Sequence, residues 1–106
     1  VLVNIEVAVT IEFCPDGKIV FPGGACAQTR FVIEKIDKIL REAASKLSDV
    51  VRTRMFVTDI NDWEEVALVH GHIFNEIMPV STLIEVSRLI NKELLIEIEV
   101  SAIIQN

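Results

Sequence analysis

Carboxylates stand among aliphatic residues in two segments near the end of the chain, and these side chains could do chemistry. The segments read PVSTLIEVSRL at 79–89 and LLIEIEVSAII at 94–104. A carboxylate in an apolar setting is costly unless a cation, a hydrogen-bond donor or a ligand stabilises it. Glu97 and Glu99 therefore indicate either structural ion pairs with Arg52 or Arg54, or a ligand site.

Two hydroxyl groups and one cation accompany these carboxylates. Ser81 and Thr82 follow Pro79 closely and could hold a ligand anion by hydrogen bonds, or they could be turn residues that begin a strand. Arg88 could pair with an acidic residue across a subunit boundary, or it could be a plain surface charge. The residues alone leave these alternatives open.

No metal or cofactor site is predicted. The HGH segment places His70 and His72 two residues apart, and on a helix such residues point about 200° apart, so they cannot share one ion. His70 is predicted to be a core residue and His72 to face solvent. Cys14 and Cys26 lack CxxC spacing and are interpreted as reduced, small buried side chains.

Size, composition and charge exclude several classes of protein. A chain of 106 residues has room for one core, so a single domain over 1–106 is expected. Apolar residues make up 51%, which indicates that some surface is buried against another subunit. The net charge of -6 makes nucleic acid an unlikely partner. Charges interrupt every apolar run before the roughly 18 residues of a membrane span, and a cytoplasmic protein is expected.

The hydrophobic pattern predicts an α+β domain with the order β-β-α-β-α-β-β. The first strand alternates over 1–13, and Pro15-Asp16-Gly17 forms a turn into a second strand at 18–21. Apolar residues then recur at three- and four-residue steps, which is typical of helices, over 25–46 and 62–76. Asn61 with Glu64 is predicted to cap the second helix. The remaining strands lie within 49–59 and within the two segments quoted above.

Alternation along the strands predicts which side chains share a face of the sheet. If both helices cover one face, that face receives Val51, Thr53, Met55 and Val57, then Thr82, Ile84 and Val86, and then the alternate residues 96–102. The other face receives Arg52, Arg54 and Phe56, then Ser81, Leu83, Glu85 and Ser87, and then Leu95, Glu97, Glu99, Ser101 and Ile103. This second face mixes charges with large apolar groups, which indicates a closed homo-oligomer. The alternative is a monomer with a solvated ladder of cross-strand ion pairs.

Five segments together resemble the reactive-intermediate deaminases, the YjgF or RidA type. They read PDGKIV, AQTR, DVVRTRMFVTDINDW, EVSRL and IEIEVSA, in that order. The resemblance implies a chorismate-mutase-like domain that assembles as a homotrimer. In such a trimer the sheets form an inner barrel, and small-molecule ligands bind in clefts between subunits.

The resemblance also implies an activity, the hydrolysis of 2-imino acids to 2-oxo acids and ammonia. An arginine of the family clamps the substrate carboxylate, and a glutamate orients the attacking water. Glu97 matches that glutamate, whereas Ser81 stands where the arginine is expected. Ala67 and Leu83 stand where an asparagine and often a cysteine are expected. A serine hydroxyl cannot replace the permanent charge and the fork of donors of a guanidinium group.

Three hypotheses follow. The first is an imine deaminase in which Glu97 orients water and Arg54 or Arg88, beside Ser81 and Thr82, supplies an unusual anchor for the substrate. The second is a trimeric protein that binds a small molecule, such as a 2-oxo acid, without catalysis. The third is action on nucleic acid, since some relatives have been described as ribonucleases or translation inhibitors; the acidic net charge argues against it.

Overall fold

Helices and strands alternate in the computed structural model, which describes residues 1–10 and 24–105. Single 3-10 turns at Leu47–Asp49 and Ile60–Asp62 lie directly before the elements that begin at Val50 and Trp63. The strand predicted at 18–21, with its turn and Cys14, lies outside the described residues. The elements are β1 (Leu2–Val9), α1 (Ala25–Glu42), β2 (Val50–Val57), α2 (Trp63–Phe74), β3 (Val80–Glu85) and β4 (Ile96–Gln105).

The four strands form one mixed sheet in the order β1-β4-β2-β3. β4 pairs antiparallel with β1 and with β2, and β3 pairs parallel with β2. Side chains of both helices and of the central strands belong to a single buried cluster, so both helices cover the same face. The predicted α+β class, with two helices on one face of a mixed sheet, is confirmed.

The core explains why α1 forms and where it ends. Val32, Ile36 and Leu40 recur at helical spacing and are fully buried against the sheet, and each such side chain stabilises the fold by about 1.5–3 kcal/mol. The helix was predicted to reach residue 46, but it ends at Glu42. Ala44 adopts a left-handed φ of 61°, and the backbone N–H of Ser45 then bonds the carbonyl of Leu40. This is a helix-ending geometry that usually takes glycine.

A β-bulge changes the predicted alternation at the start of β2. From Val50 to Arg52, β2 advances by two residues while its partner β4 advances by one, from Ala102 to Ser101, so Val51 is the extra residue. Val50 is therefore buried and Val51 is 44% exposed, so the predicted placement of Val51 on the helix face is wrong. An inserted residue of this kind shifts the phase of a strand without any sign in its hydrophobic pattern.

The cap before α2 also differs from the prediction. The acceptor is Asp59, whose carboxylate takes a hydrogen bond of 2.9 Å from the backbone N–H of Asn61. The side chain of Asn61 does not cap α2, because the 3-10 turn Ile60–Asp62 separates the loop from the helix. The predicted capping box of Asn61 with Glu64 is therefore wrong.

The register of β3 reverses its predicted faces. Ser81 pairs with Thr53, Leu83 with Met55 and Glu85 with Val57 in the parallel ladder. Paired residues of neighbouring strands point to the same face, so Ser81, Leu83 and Glu85 lie on the helix face. Thr82 and Ile84 lie on the opposite face, and the predicted assignment of β3 is wrong. β3 is an edge strand whose side chains are exposed or half-buried on both faces, so hydrophobicity does not fix its phase.

Gln28 of α1 hydrogen-bonds the loop before β4, and its replacement should destabilise the fold. The fully buried side chain donates to the carbonyl of Glu93 at 2.9 Å and accepts from the N–H of Leu95 at 2.8 Å. Gln28→Leu leaves both backbone groups without these partners, and we expect a loss of about 2 kcal/mol or more in the free energy of unfolding. Urea unfolding measures it. Arg30→Leu, which also replaces a polar side chain of α1 by leucine but at an exposed position, is the control. An equal loss in both variants would contradict this role.

Candidate functional site

A cavity of about 410 Å³ opens between α2 and the edge strand β3. Its walls combine apolar side chains with the polar side chains of His70 and Ser81, an arrangement common in small-molecule sites. Met55 and Leu83 form the sheet side, and Trp63 lies half-exposed at its mouth. The lining residues are Met55, Ile60, Trp63, Ala67, His70, Ser81, Thr82 and Leu83.

A chain of hydrogen bonds runs along the sheet side of this cavity. Thr53 Oγ1 lies 2.8 Å from His70 Nε2 and donates to Ser81 Oγ at 2.8 Å. Ser81 Oγ in turn donates to the carbonyl oxygen of Pro79 at 3.2 Å. A hydroxyl has one proton, so the bond between Thr53 and His70 takes its hydrogen from Nε2. The geometry therefore fits a neutral His70 ring protonated at Nε2.

Burial favours the same neutral form. His70 is half-buried, and its ring lies against Phe74 with the centroids 4.6 Å apart. Desolvation lowers the pKa of His70 below its ordinary value, because the imidazolium loses water contacts without gaining an anion. His70 thus lies half-buried at the edge of the core and not within it, whereas His72 is exposed as predicted.

The lowered pKa should make stability depend on pH. Below pH 6.5, the ordinary pKa of histidine, His70 is protonated in the unfolded chain but stays neutral in the folded protein. The contribution of neutral His70 to the free energy of unfolding is therefore fully present above that pH. It is lost as the pH falls towards the pKa of His70 in the folded state. His70→Gln keeps a hydrogen-bonding group without this titration. We expect it to lose less stability than the parent protein on going from about pH 7.5 to about pH 5.5.

Urea midpoints at the two pH values measure this effect. His72→Gln removes an exposed histidine of the same helix and should behave like the parent protein. Equal pH dependence of the parent and His70→Gln would show that His70 does not titrate differently in the folded state.

The sheet face opposite the helices, hereafter the open face, carries the charged residues. Arg54 Nε lies 3.0 Å from Glu99 Oε1, and its Nη2 lies 4.0 Å from Glu6 Oε1. Ser101 Oγ donates to Glu6 at 2.8 Å. The open face consists of Glu6, Ala8, Arg52, Arg54, Phe56, Val80, Thr82, Ile84, Glu97, Glu99, Ser101 and Ile103.

Glu97 differs from its neighbour Glu99. It pairs with Phe56 across the ladder and is half-buried. Throughout residues 1–10 and 24–105 its carboxylate has no ion pair and no side-chain hydrogen bond, whereas Glu99 has Arg54. The structural alternative, in which an arginine neutralises the carboxylate, therefore applies to Glu99 and not to Glu97.

The five predicted site residues fall into three places. Ser81 and Thr82 line the cavity beside α2. Arg54 and Glu97 lie on the open face, away from Ser81. Arg88 is exposed in the loop between β3 and β4. One chain thus does not bring Ser81 and Glu97 into a single site.

Sequence reasoning did not include Thr53 and His70 in the site. Thr53 was assigned to the helix face by alternation alone, and His70 was interpreted as a core residue. The available signal was a buried hydroxyl in the middle of an apolar strand, since such a group needs a partner. Nothing in the spacing of the two residues indicates that Ser81 supplies one.

The described part of the chain has neither a metal-binding cluster nor a helix that could span a membrane. No group of three or more His, Cys, Asp or Glu residues there is arranged to hold a metal ion. No described helix is both long enough and apolar enough to cross a membrane.

Comparisons with known proteins agree with this fold. The family model described as Endoribonuclease L-PSP matches residues 4–104. A RutC family protein of Pyrococcus abyssi is 39% identical over 98 residues, which are 92% of this chain and 76% of that protein. The 2-iminobutanoate/2-iminopropanoate deaminase of Escherichia coli K12 is 34% identical over 85 residues, 77% of this chain and 66% of that protein.

A solved structure is similar over almost the whole chain. The crystal structure of Rv2704 from Mycobacterium tuberculosis, a member of the YjgF/YER057c/UK114 family, superposes with a TM-score of 0.82 at 39% identity. The match covers 97% of this chain and 79% of that one. The two helices and the mixed sheet thus have a direct counterpart.

Proposed function

This chain belongs to the YjgF/RidA family, and on that premise we propose that it hydrolyses enamine or imine intermediates to carbonyl compounds and ammonia. The name of the E. coli relative, 2-iminobutanoate/2-iminopropanoate deaminase, supports this reaction. In the reaction the oxygen of water adds to the imine carbon and the nitrogen takes up protons. Collapse of the resulting carbinolamine then breaks the C–N bond and releases ammonia.

The observation that carries this proposal is the carboxylate of Glu97. It is half-buried and, among the described residues, makes neither an ion pair nor a side-chain hydrogen bond, although Arg54 lies on the same face. A half-buried carboxylate without a structural partner is a candidate for a functional role, because its partial desolvation costs free energy that no ion pair offsets. Such a group can hold a water molecule and accept its proton as the oxygen attacks.

A complete site requires a second copy of the chain. The cavity with Ser81 opens beside α2, whereas Glu97 lies on the other face of the sheet. The open face also leaves large apolar side chains in contact with solvent, among them Val80 at 66% and Ile84 at 44% exposure, which favours burial against another subunit. We propose a homotrimer in which the open faces meet and ligand clefts form between subunits.

An anchor for the substrate is the least conventional part of this site. Ser81 supplies a hydroxyl at the cavity, whereas Thr82 lines it although its side chain lies on the open face. Arg54 already bonds Glu99 at 3.0 Å, so its use as an anchor would cost that ion pair. Arg88 is exposed in the loop after β3 and could reach a neighbouring subunit. Among the described residues Arg88 makes no ion pair, unlike Arg54, but within one chain neither arginine lines the cavity.

One observation favours a second function, small-molecule binding without catalysis. Ser81, Ala67 and Leu83 line the cavity, and these are the positions where the family resemblance leads one to expect an arginine, an asparagine and often a cysteine. The cavity thus persists while its expected polar groups are replaced. Action on nucleic acid finds no support in the net charge of -6, and the cytoplasmic location remains a prediction.

The deaminase proposal is tested by the hydrolysis of an unstable imine that is generated in the assay mixture. A pyridoxal-phosphate dehydratase acting on threonine generates 2-iminobutanoate, and the release of 2-oxobutanoate is followed with and without this protein. We expect faster release in its presence. No acceleration with 2-iminobutanoate or with an uncharged imine would overturn the deaminase proposal and leave ligand binding as the function.

A further inference from the structure

The cavity beside α2 contains no positive charge to receive an anion. Its eight lining residues include neither lysine nor arginine, and the lowered pKa of His70 keeps that ring neutral near pH 7. Arg52 and Arg54 lie on the open face, on the other side of the sheet.

Acidic residues adjoin Ile60, which lines one end of the cavity. Ile60, a lining residue, belongs to the same short turn as Asp62, and Asp59 precedes it. Burial first, and then the negative charges of Asp59 and Glu65, raise the pKa of Asp62. Glu85 adds another carboxylate, which accepts from the backbone N–H of Ile60 at 2.9 Å. An incoming carboxylate would meet these negative charges without a cation to offset them.

Ser81 presents an acceptor to the cavity. Its proton goes to the carbonyl of Pro79, and one of its lone pairs accepts from Thr53. A hydroxyl oxygen has two lone pairs, so the second remains for a ligand that brings its own hydrogen. Thr53, fully buried, and His70 behind it hold the hydroxyl in this orientation.

We propose that this cavity selects uncharged ligands that carry an N–H donor, namely neutral imines and enamines and their carboxamide analogues, over free carboxylates. The chemistry of the imine rests on the proposed function; the charge and donor preference rests on the cavity. Ser81 is then a specificity-determining residue: where a guanidinium group would bind a carboxylate, its hydroxyl accepts a hydrogen bond from nitrogen.

Three matched probes separate charge from hydrogen bonding. 2-Oxobutanamide is neutral with an N–H donor, methyl 2-oxobutanoate is neutral without one, and 2-oxobutanoate is an anion. Calorimetry or NMR titration of the full chain at about pH 7.5, where carboxylic acids are ionised, gives the three dissociation constants. We expect the amide to bind more tightly than the anion by about tenfold or more, because the anion loses hydration without gaining a partner.

A single variant tests the part assigned to Ser81. Ser81→Ala removes the acceptor and should weaken the amide by about two- to tenfold, the usual range for one hydrogen bond, with the ester unchanged. Ser87→Ala, the same change at an exposed position after β3, should change neither the dissociation constant of the amide nor that of the ester. An amide that binds no better than 2-oxobutanoate, or does not bind, would overturn the proposal. So would an amide-to-ester ratio that Ser81→Ala leaves unchanged.

The hydrolysis assay keeps the two proposals apart. If the amide binds preferentially but no imine is hydrolysed, the proposed ligand preference stands and the proposed deaminase activity is wrong. If imines are hydrolysed but 2-oxobutanoate binds as tightly as the amide, the proposed deaminase activity stands and the proposed ligand preference is wrong.

Discussion

Ser81→Arg should convert the cavity beside α2 into a carboxylate site and raise kcat/KM for 2-iminobutanoate by about 30-fold to several thousandfold. The estimate follows from the 2–5 kcal/mol that is typically lost when one partner of a buried, hydrogen-bonded charge pair is missing. A guanidinium group at residue 81 would start from the cavity wall and bring a fixed positive charge and paired donors to the substrate carboxylate. The coupled dehydratase assay measures the change.

Two control substitutions separate charge from size. Ser81→Met adds a long side chain without charge, and Ser81→Lys adds charge without the planar fork of donors. We expect little gain from methionine and an intermediate gain from lysine. Equal rates for the arginine and methionine variants would mean that residue 81 acts through the shape of the cavity and not through charge.

Glu97→Gln should lower kcat by about 100-fold or more, the usual contribution of a positioned general base. The substitution keeps the size of the side chain and removes its ability to take up a proton from water. Stability should change little, because among the described residues the Glu97 carboxylate has neither an ion pair nor a side-chain hydrogen bond to lose. The effect is best measured in the Ser81→Arg background, where turnover of 2-iminobutanoate is expected to be highest.

Glu76→Gln, the same change at an exposed position after α2, is the matched control and should leave kcat unchanged. A Glu97→Gln variant with unchanged kcat and intact assembly would remove Glu97 from the proposed mechanism.

The arrangement of layers could be predicted from the sequence because burial repeats regularly in the central elements. Ile96, Ile98 and Val100 alternate with Glu97 and Glu99 along β4, and α1 has an unambiguous apolar side. In such elements the hydrophobic pattern has one phase that satisfies the core. The predicted helix bounds were less accurate. Ala44 ends α1 by adopting a left-handed backbone conformation that is unusual for alanine and therefore not predictable from its residue type.

The candidate site could be predicted only in part, because it lies where that periodic signal fails. β3 is at the sheet edge, and its apolar residues fall on both faces, so the orientation of Ser81 depended on the parallel register with Thr53. The bulge at Val51 is equally invisible in composition. The hydrogen bonds that join Ser81 to His70 through Thr53 connect three separate elements, and long-range contacts of this kind have no local signature.

Mixing subunits tests most directly whether the Ser81 cavity and Glu97 form one site across a subunit boundary. Ser81→Arg/Glu97→Gln chains have the anchor without the base, and parent chains have the base without the anchor, so either protein alone should turn over 2-iminobutanoate slowly. Co-expressed at equal amounts, they should regain roughly a quarter of the activity of Ser81→Arg, because random assembly places an anchor opposite an intact Glu97 in that share of clefts. Mixed oligomers that regain nothing, although Ser81→Arg itself is active, would place both groups within a single chain and contradict the account.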